Sequence, residues 1–247
     1  GAAGVSGSDL NALVTTTTRV DSLFGGQGAT LGSIVIQNGS MSATVDLSGA
    51  VTVGDILNKI NGSGVDVQAT INSAKTGIDI VNRVSGLKMS IGENGGDTAT
   101  VLGIRSLQGG TTLSSLNDGG GVQTKPGEAD FKIITRAGSV VEVSIDGAKT
   151  VDDAIGAINA AAQAAGVNVT ASLASTGNGI RIVDGTAGAG TLRVERMNAS
   201  TAADDLGILK TDTAATGEIM GDDVGSVRTD SVFTALYELF DALTTNS

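Results

Sequence analysis

The chain has 247 residues and a formal charge of −11, with no Cys, no His, no Trp, one Pro, four Phe and one Tyr. Without thiols or imidazoles it can build neither a disulfide framework nor a thiolate metal site, and it lacks the commonest general base and metal ligand. The acidic balance, with no Lys/Arg cluster, disfavours nucleic acid or an anionic membrane as partner, while 40 % hydrophobic residues suffice for aliphatic cores.

In chain order, a glycine-rich turn at Gly25-Gly26-Gln27-Gly28 precedes two alternating segments, Ile34 with Ile36 and Val45 with Leu47, which the period of two predicts as half-buried strands. A helix follows, its stripe formed by Val53, Ile56, Leu57 and Ile60 at i, i+3, i+4 and i+7. Thr52 and Asp55 stand at its start with capping-box spacing. Alternation resumes at Val65, Val67, Ala69 and Ile71, then at Ile78-Asp79-Ile80 beyond a turn at Gly77, and last at Leu87 to Ile91. This order predicts a β-β-α-β-β-β module, one twisted, mostly antiparallel sheet with the helix on one face.

The order then recurs. Val45-Asp46-Leu47-Ser48-Gly49-Ala50-Val51-Thr52-Val53-Gly54-Asp55-Ile56-Leu57-Asn58-Lys59-Ile60-Asn61 aligns with Val143-Ser144-Ile145-Asp146-Gly147-Ala148-Lys149-Thr150-Val151-Asp152-Asp153-Ala154-Ile155-Gly156-Ala157-Ile158-Asn159. Strands at Phe131 and Ile133, at Val141, Val143 and Ile145, at Val167 to Leu173, at Ile180-Arg181-Ile182 and at Leu192 to Glu195 repeat the first set. Ser22 to Gly28 parallels Ser115 to Gly121, and each copy closes on Leu-Gly-Ile, at 102–104 and 206–208. A repeat of about a hundred residues has the size of a small domain. The reading is an α+β chain of two tandem modules, 1–105 and 106–210, with 211–247 as linker and C-terminal helix. Leu57 and Ile155 are both expected to be fully buried between helix and sheet.

From Asp230 to Leu243 the pattern changes. Val232, Phe233, Leu236, Tyr237, Leu239, Phe240 and Leu243 cover more than half of a helix circumference, so this helix must be buried, either docked on a module or within a coiled-coil bundle. No apolar run reaches the roughly 18 residues of a membrane span, and no basic start with an apolar middle marks a secretory signal. The opening at Gly1 without Met suggests a segment of a longer protein.

The shared core Thr-Val-x-Asp-x-(Leu or Ile)-x-x-Ile-Asn, preceded by Asp-Leu-Ser-Gly-Ala in one copy and Ile-Asp-Gly-Ala in the other, resembles the flagellin hook IN motif of flagellins, hook-associated proteins and filament cap proteins. The resemblance spans roughly residues 15–210, and Leu113 to Val122 looks like the leader that precedes the motif. Ser231 to Leu243 is similar to the helix that returns flagellin-like chains to the inner coiled-coil shell, which favours a flagellin-like hook-filament junction protein over a cap protein. The resemblance implies an extracellular structural segment, the outward-facing central insert of a flagellar subunit. It implies partners among other flagellar subunits, joined through terminal helices mostly outside this segment, and an export chaperone for the full-length protein. No cofactor is implied. A cap protein segment and a secreted adhesin-type binding module are the alternatives. Absence of Cys and a single Pro126 suit subunits that pass unfolded through a channel and refold outside.

Candidate chemistry is sparse. The glycine-rich turns lack the Gly-Lys-Ser/Thr of a phosphate loop. Asp118, Glu128 and Asp130, like Asp222 and Asp223, lack calcium-loop spacing. The pairs Asp152-Asp153 and Asp204-Asp205 are adjacent in sequence, so in a helix they point about 100° apart and do not face each other across a glycosidic bond. Lys59, Lys88 and Lys149 fall at exposed phases. No catalytic, cofactor-binding or metal-binding residue is therefore expected, and the chain is read as non-enzymatic.

Overall fold

The computed structural model describes residues 13–228, so the Asp230–Leu243 helix expected from sequence, with Val232, Phe233, Leu236, Tyr237, Leu239, Phe240 and Leu243, lies outside the described residues. The fold is α+β. The first repeat runs β1 (Ser33–Asn38), β2 (Met41–Asp46), α1 (Val53–Asn61), β3 (Val67–Ile71), β4 (Ile78–Asn82), β5 (Lys88–Asn94) and a helical turn α2 (Thr98–Val101). The second runs β6 (Phe131–Ile134), β7 (Val140–Val143), α3 (Val151–Ala164), β8 (Val169–Leu173), β9 (Thr176–Gly177), β10 (Ile180–Asp184), β11 (Arg193–Arg196) and α4 (Ala202–Asp205). Two late strands, β12 (Glu218–Met220) and β13 (Val227–Arg228), follow.

Each repeat has two sheets, where the sequence suggested one. In the first, β1 lies between β2 and β5, with Ile36 opposite Ala43 on one side and Ile91 on the other, while β3 and β4 form a separate hairpin with Ala69 opposite Ile80. The second matches it: β6 lies between β7 and β11, with Ile133 opposite Val141 and Val194, while β8 pairs with β10, with Ala171 opposite Ile182. Every one of these pairings is antiparallel. The division follows from the helix stripe. Ile34 and Ile36 from one sheet and Val67 and Ala69 from the other share one core with Val53, Ile56, Leu57 and Ile60, so two sheets enclose a stripe that a single flat face would leave half exposed. A second core repeats this around Val151, Ala154 and Ile158.

The two sheets of each repeat are tied at one corner by polar groups. Asn38 Nδ2 donates to Val65 O and to Asn82 Oδ1, each at 2.9 Å. At the matching corner of the second repeat Arg136 N donates to Asp184 Oδ2 at 2.6 Å and Arg136 Nη2 to Asp184 O at 2.9 Å.

Helix ends follow the sequence. Thr52 Oγ1 accepts from Asp55 N at 3.2 Å while Asp55 Oδ2 accepts from Thr52 N at 2.8 Å, and Thr150 with Asp153 repeats this at 3.2 and 2.9 Å. α1 ends at its Gly62 cap, whereas Ala160-Ala161-Ala162 carries α3 to Ala164. On α3 the buried line is Val151, Ala154, Ile158 and Ala162, which puts Ile155 on its shoulder, partly buried. The expectation of full burial therefore fails for Ile155, while Leu57 is 8 % exposed.

The last residue of the motif has the least expected role. Asn61 Oδ1 accepts from Ala69 N at 2.7 Å and its Nδ2 donates to Ala69 O at 3.1 Å. Asn159 holds Ala171 in the same way, at 2.7 and 3.0 Å. Each side-chain amide thus stands in for a neighbouring strand, satisfying both main-chain groups of one residue at the middle of β3 or β8. Replacing Asn61 or Asn159 by Ala leaves those groups without their partner and is expected to destabilise the protein by about 1–3 kcal/mol, read from the urea unfolding midpoint.

The capping carboxylates also set a pH dependence. Asp55 is held below the ordinary carboxylate range by hydrogen bonds from the Thr52 and Val51 N–H groups, and Asp153 by Lys149 N–H together with Thr150. Their contribution is present above the unfolded pKa of about 3.9 and is lost as pH falls through the depressed folded values. The urea midpoint is expected to fall below about pH 4, and the double variant Asp55→Asn, Asp153→Asn to show a shallower acid slope than wild type.

Candidate interaction surfaces

The repeats do not stand apart. The outer edge of β5 receives β9 of the second repeat, with Glu93 opposite Gly177 and Asn94 opposite Thr176, and beside it β13, with Met89 opposite Val227. Gly95 N and Gly96 N both donate to Ser175 O, at 2.7 and 3.1 Å. Gly92 permits this approach, because a Cβ there would stand 2.6 Å from the Gly177 carbonyl carbon.

Behind the shared edge lies a buried polar knot. Arg105, 3 % exposed, donates through Nη1 to Ala174 O at 2.9 Å and through Nε to Asn178 Oδ1 at 3.3 Å. Asn178 Oδ1 also accepts from Leu107 N at 3.0 Å, and its Nδ2 donates to Ser106 Oγ and Asp223 Oδ1, each at 2.8 Å. Burial lowers the pKa of the Arg105 guanidinium, and the Glu93 and Asp223 carboxylates act in the opposite direction. Asn178 thus joins the connector Arg105–Leu107, the β8–β10 turn and the segment between β12 and β13. Neither Arg105 nor Asn178 stands out in the sequence, and Asp223 does so only as a carboxylate without calcium-loop spacing; a single Arg after the closing Leu-Gly-Ile of the first copy is the available signal.

Most of the carboxylates considered for chemistry are held in local structure. Asp153 caps α3, Asp204 pairs with Arg196, and Asp205 accepts from Gln123 N at 2.9 Å and Thr201 Oγ1 at 2.8 Å. Asp118 pairs with Lys88 at 2.6 Å, Asp130 accepts from Lys125 N at 2.7 Å and Ile145 N at 2.9 Å, and Asp222 pairs with Lys210 at 2.6 Å. Asp118 and Asp130 therefore face different partners and are not brought together. Among the described residues no group of three acidic side chains is placed to hold a metal ion. No helix among them is long and apolar enough to cross a membrane.

The glycine-rich leaders are turns with one backbone trace. Phe24, Gly25 and Gly26 have φ of 55°, 72° and 88°, and Asn117, Asp118 and Gly119 have 54°, 58° and 88°. Gly28 N closes the first turn on Leu23 O at 3.0 Å, and Gly121 N closes the second on Leu116 O at 2.9 Å. A left-handed conformation suits Asn and Asp but strains a Phe, and Phe24 is moreover 53 % exposed. It borders a groove of about 640 Å³ lined also by Leu13, Val14, Ile78 and Leu102.

No family model matches the chain, and no curated protein matches it. Among solved structures, a crystal structure of the flagellar cap protein FliD from Helicobacter pylori is similar at a TM-score of 0.25 and 16 % identity, over 81 % of this chain and 56 % of that one. The chain thus spans little more than half the length of that structure, and similarity at this level carries no argument about fold or function.

Replacing Asn178 by Ala removes partners from Arg105, Leu107, Ser106 and Asp223 together. The expected outcome is a stability loss of about 1–3 kcal/mol, with faster amide exchange at Gly95 and Gly96 while the α1 amides keep their protection.

Proposed function

We propose that this chain is a structural, non-catalytic segment of a bacterial flagellar subunit, the outward-facing insert of a hook-filament junction protein or flagellin. In this reading residues 1–105 and 106–210 are two hook IN modules. Residues 211–247 lead back toward a coiled-coil shell through Val232, Phe233, Leu236, Tyr237, Leu239, Phe240 and Leu243, and the partners are other flagellar subunits outside the cell.

The observation that carries the reading is the use made of the motif residues. Thr, Asp and Asn of the hook IN-like core make the same hydrogen bonds in both copies, capping the helix N-terminus and holding a strand residue from two turns further along. The motif thus specifies a repeated scaffold, and its Thr side chains, Asp55, Asp153 and the two Asn side chains are engaged in that scaffold. A chain of this kind contributes surface and spacing to an assembly.

Antibody raised against residues 13–228 tests the assignment on sheared flagella by immunogold microscopy. Label at the hook-filament boundary or along the filament is expected; label at the distal tip alone transfers the chain to the cap, and no label on flagella removes the flagellar reading.

A further inference from the structure

The two repeats differ at one corresponding edge. In the second, β10 has β8 on one side and β12 on the other, with Arg181 opposite Met220, Ile182 opposite Ile219 and Val183 opposite Glu218. Arg181 Nε donates to Glu218 Oε1 at 2.7 Å across that junction, so the outer strand is held by main-chain pairing and by an ion pair together.

In the first repeat β4 corresponds to β10, Asp79 to Arg181 and Val81 to Val183. Among the described residues β4 pairs with β3 alone. Asn72 N donates to Gly77 O at 3.0 Å and Arg83 N to Asp66 O at 2.9 Å, so the odd-numbered residues of β4 bond to β3. Antiparallel alternation then turns the N–H and C=O groups of Ile78, Ile80 and Asn82 away from β3. The side chains divide the other way. Asn82 is buried and Ile78 and Ile80 are partly so, whereas Asp79, Val81 and Arg83 are exposed, Val81 at 51 %. No ion pair joins Asp79 or Arg83 to another described residue. An edge with outward main-chain groups and an exposed aliphatic residue is the acceptor geometry for a further strand.

This edge is complementary to itself. Setting two copies of β4 antiparallel about a two-fold axis at Val81 brings Ile80 opposite Asn82 of the second copy, and the outward groups of these two residues exchange both main-chain bonds. Val81 then stands opposite its own counterpart, and Asp79 stands opposite Arg83 on both sides of the axis. The valines and the charged pairs fall on non-hydrogen-bonded positions, where opposed side chains come closest, with Cα atoms about 4.5 Å apart. Shifting the pairing by two residues sets Asp79 or Arg83 against Val81 and brings like charges onto the diagonal. A shift of one residue sets outward main-chain groups against inward ones.

We infer that the outer edge of β4 is the docking site of the same edge on a second copy of this chain. The two β3–β4 hairpins become one antiparallel sheet, with Val81 at the two-fold axis and an Asp79–Arg83 ion pair on each side of it. A second copy is favoured over an unlike partner because the edge itself answers each of its features: an aliphatic centre with one charge of each sign at equal distance along the strand. The inference does not rest on the flagellar reading.

The 247-residue chain has no Cys, so one introduced thiol reports this contact alone. Val81→Cys sets two thiols across the axis at a Cα separation within the roughly 4.4–6.8 Å that a disulfide spans. Val51→Cys, at a valine that is also 51 % exposed, reports random encounter. Under mild oxidation at equal protein concentration, covalent dimer is expected to form at least about 10-fold faster for Val81→Cys than for Val51→Cys, because docking raises the local thiol concentration. Adding Asp79→Arg or Arg83→Asp to Val81→Cys is expected to return the rate to the Val51→Cys level, and adding both is expected to restore it. The inference is overturned by a Val81→Cys rate no higher than that of Val51→Cys, by single charge reversals without effect, or by a double reversal that does not restore the rate.

Discussion

A side-chain amide that takes the place of a strand is the constraint on which each repeat turns. β3 and β8 must leave the sheet that precedes them in order to enclose the helix from a second side, and the departure exposes main-chain groups that no neighbouring strand serves. Asn61 from the last turn of α1 and Asn159 from the middle of α3 serve them, each at 2.7 Å to the N–H groups of Ala69 and Ala171. The same contact therefore fixes where the second sheet sits against the helix. With Thr52 and Thr150 capping the helix N-terminus, the buried stripe has one rotational setting, and both cores are built around it.

The repeats keep geometry while exchanging chemistry. In the first, Glu93 of β5 accepts from Ala99 N at 3.0 Å and Thr100 N at 2.7 Å and so ties the strand to α2. In the second, Arg196 of β11 occupies the matching place and pairs with Asp204 of α4. A buried carboxylate holding amide hydrogens and a part-exposed ion pair fasten the same strand to the same turn. The corner pairs Asn38 with Asn82 and Arg136 with Asp184 are a second such exchange.

Much of this was legible in the sequence because it is local. The stripe Val53, Ile56, Leu57, Ile60, the Thr-x-x-Asp caps and the alternation in β1 to β4 all follow from periodicities of 3.6 and 2. Phase on α3 was harder to fix: Ala154 and Ala162 take the buried line, and the larger Ile155 sits at its side, an arrangement that residue hydrophobicity alone does not rank. The split into two sheets was not legible, since alternation reports which face is buried and not which strand is the neighbour. The role of Asn61 was hidden for a related reason, because a polar residue at a helix end ordinarily faces water. The joint between the repeats rests on β9, a strand of two residues, and on main-chain contacts made by Gly177 and Ser175, which carry no sequence signal.

The position of β13 beside β9 on β5 has a mechanical consequence. Val14 is fastened to Lys75, and Val227 lies opposite Met89, so the path into the described chain and the path out of it are both anchored on the first repeat. A pull applied through the two ends is carried by that repeat across the β5 edge, and the second repeat hangs as a side branch outside the line of force. Lengthening, shortening or reshaping that branch changes what the surrounding medium meets without altering the element that bears the strain.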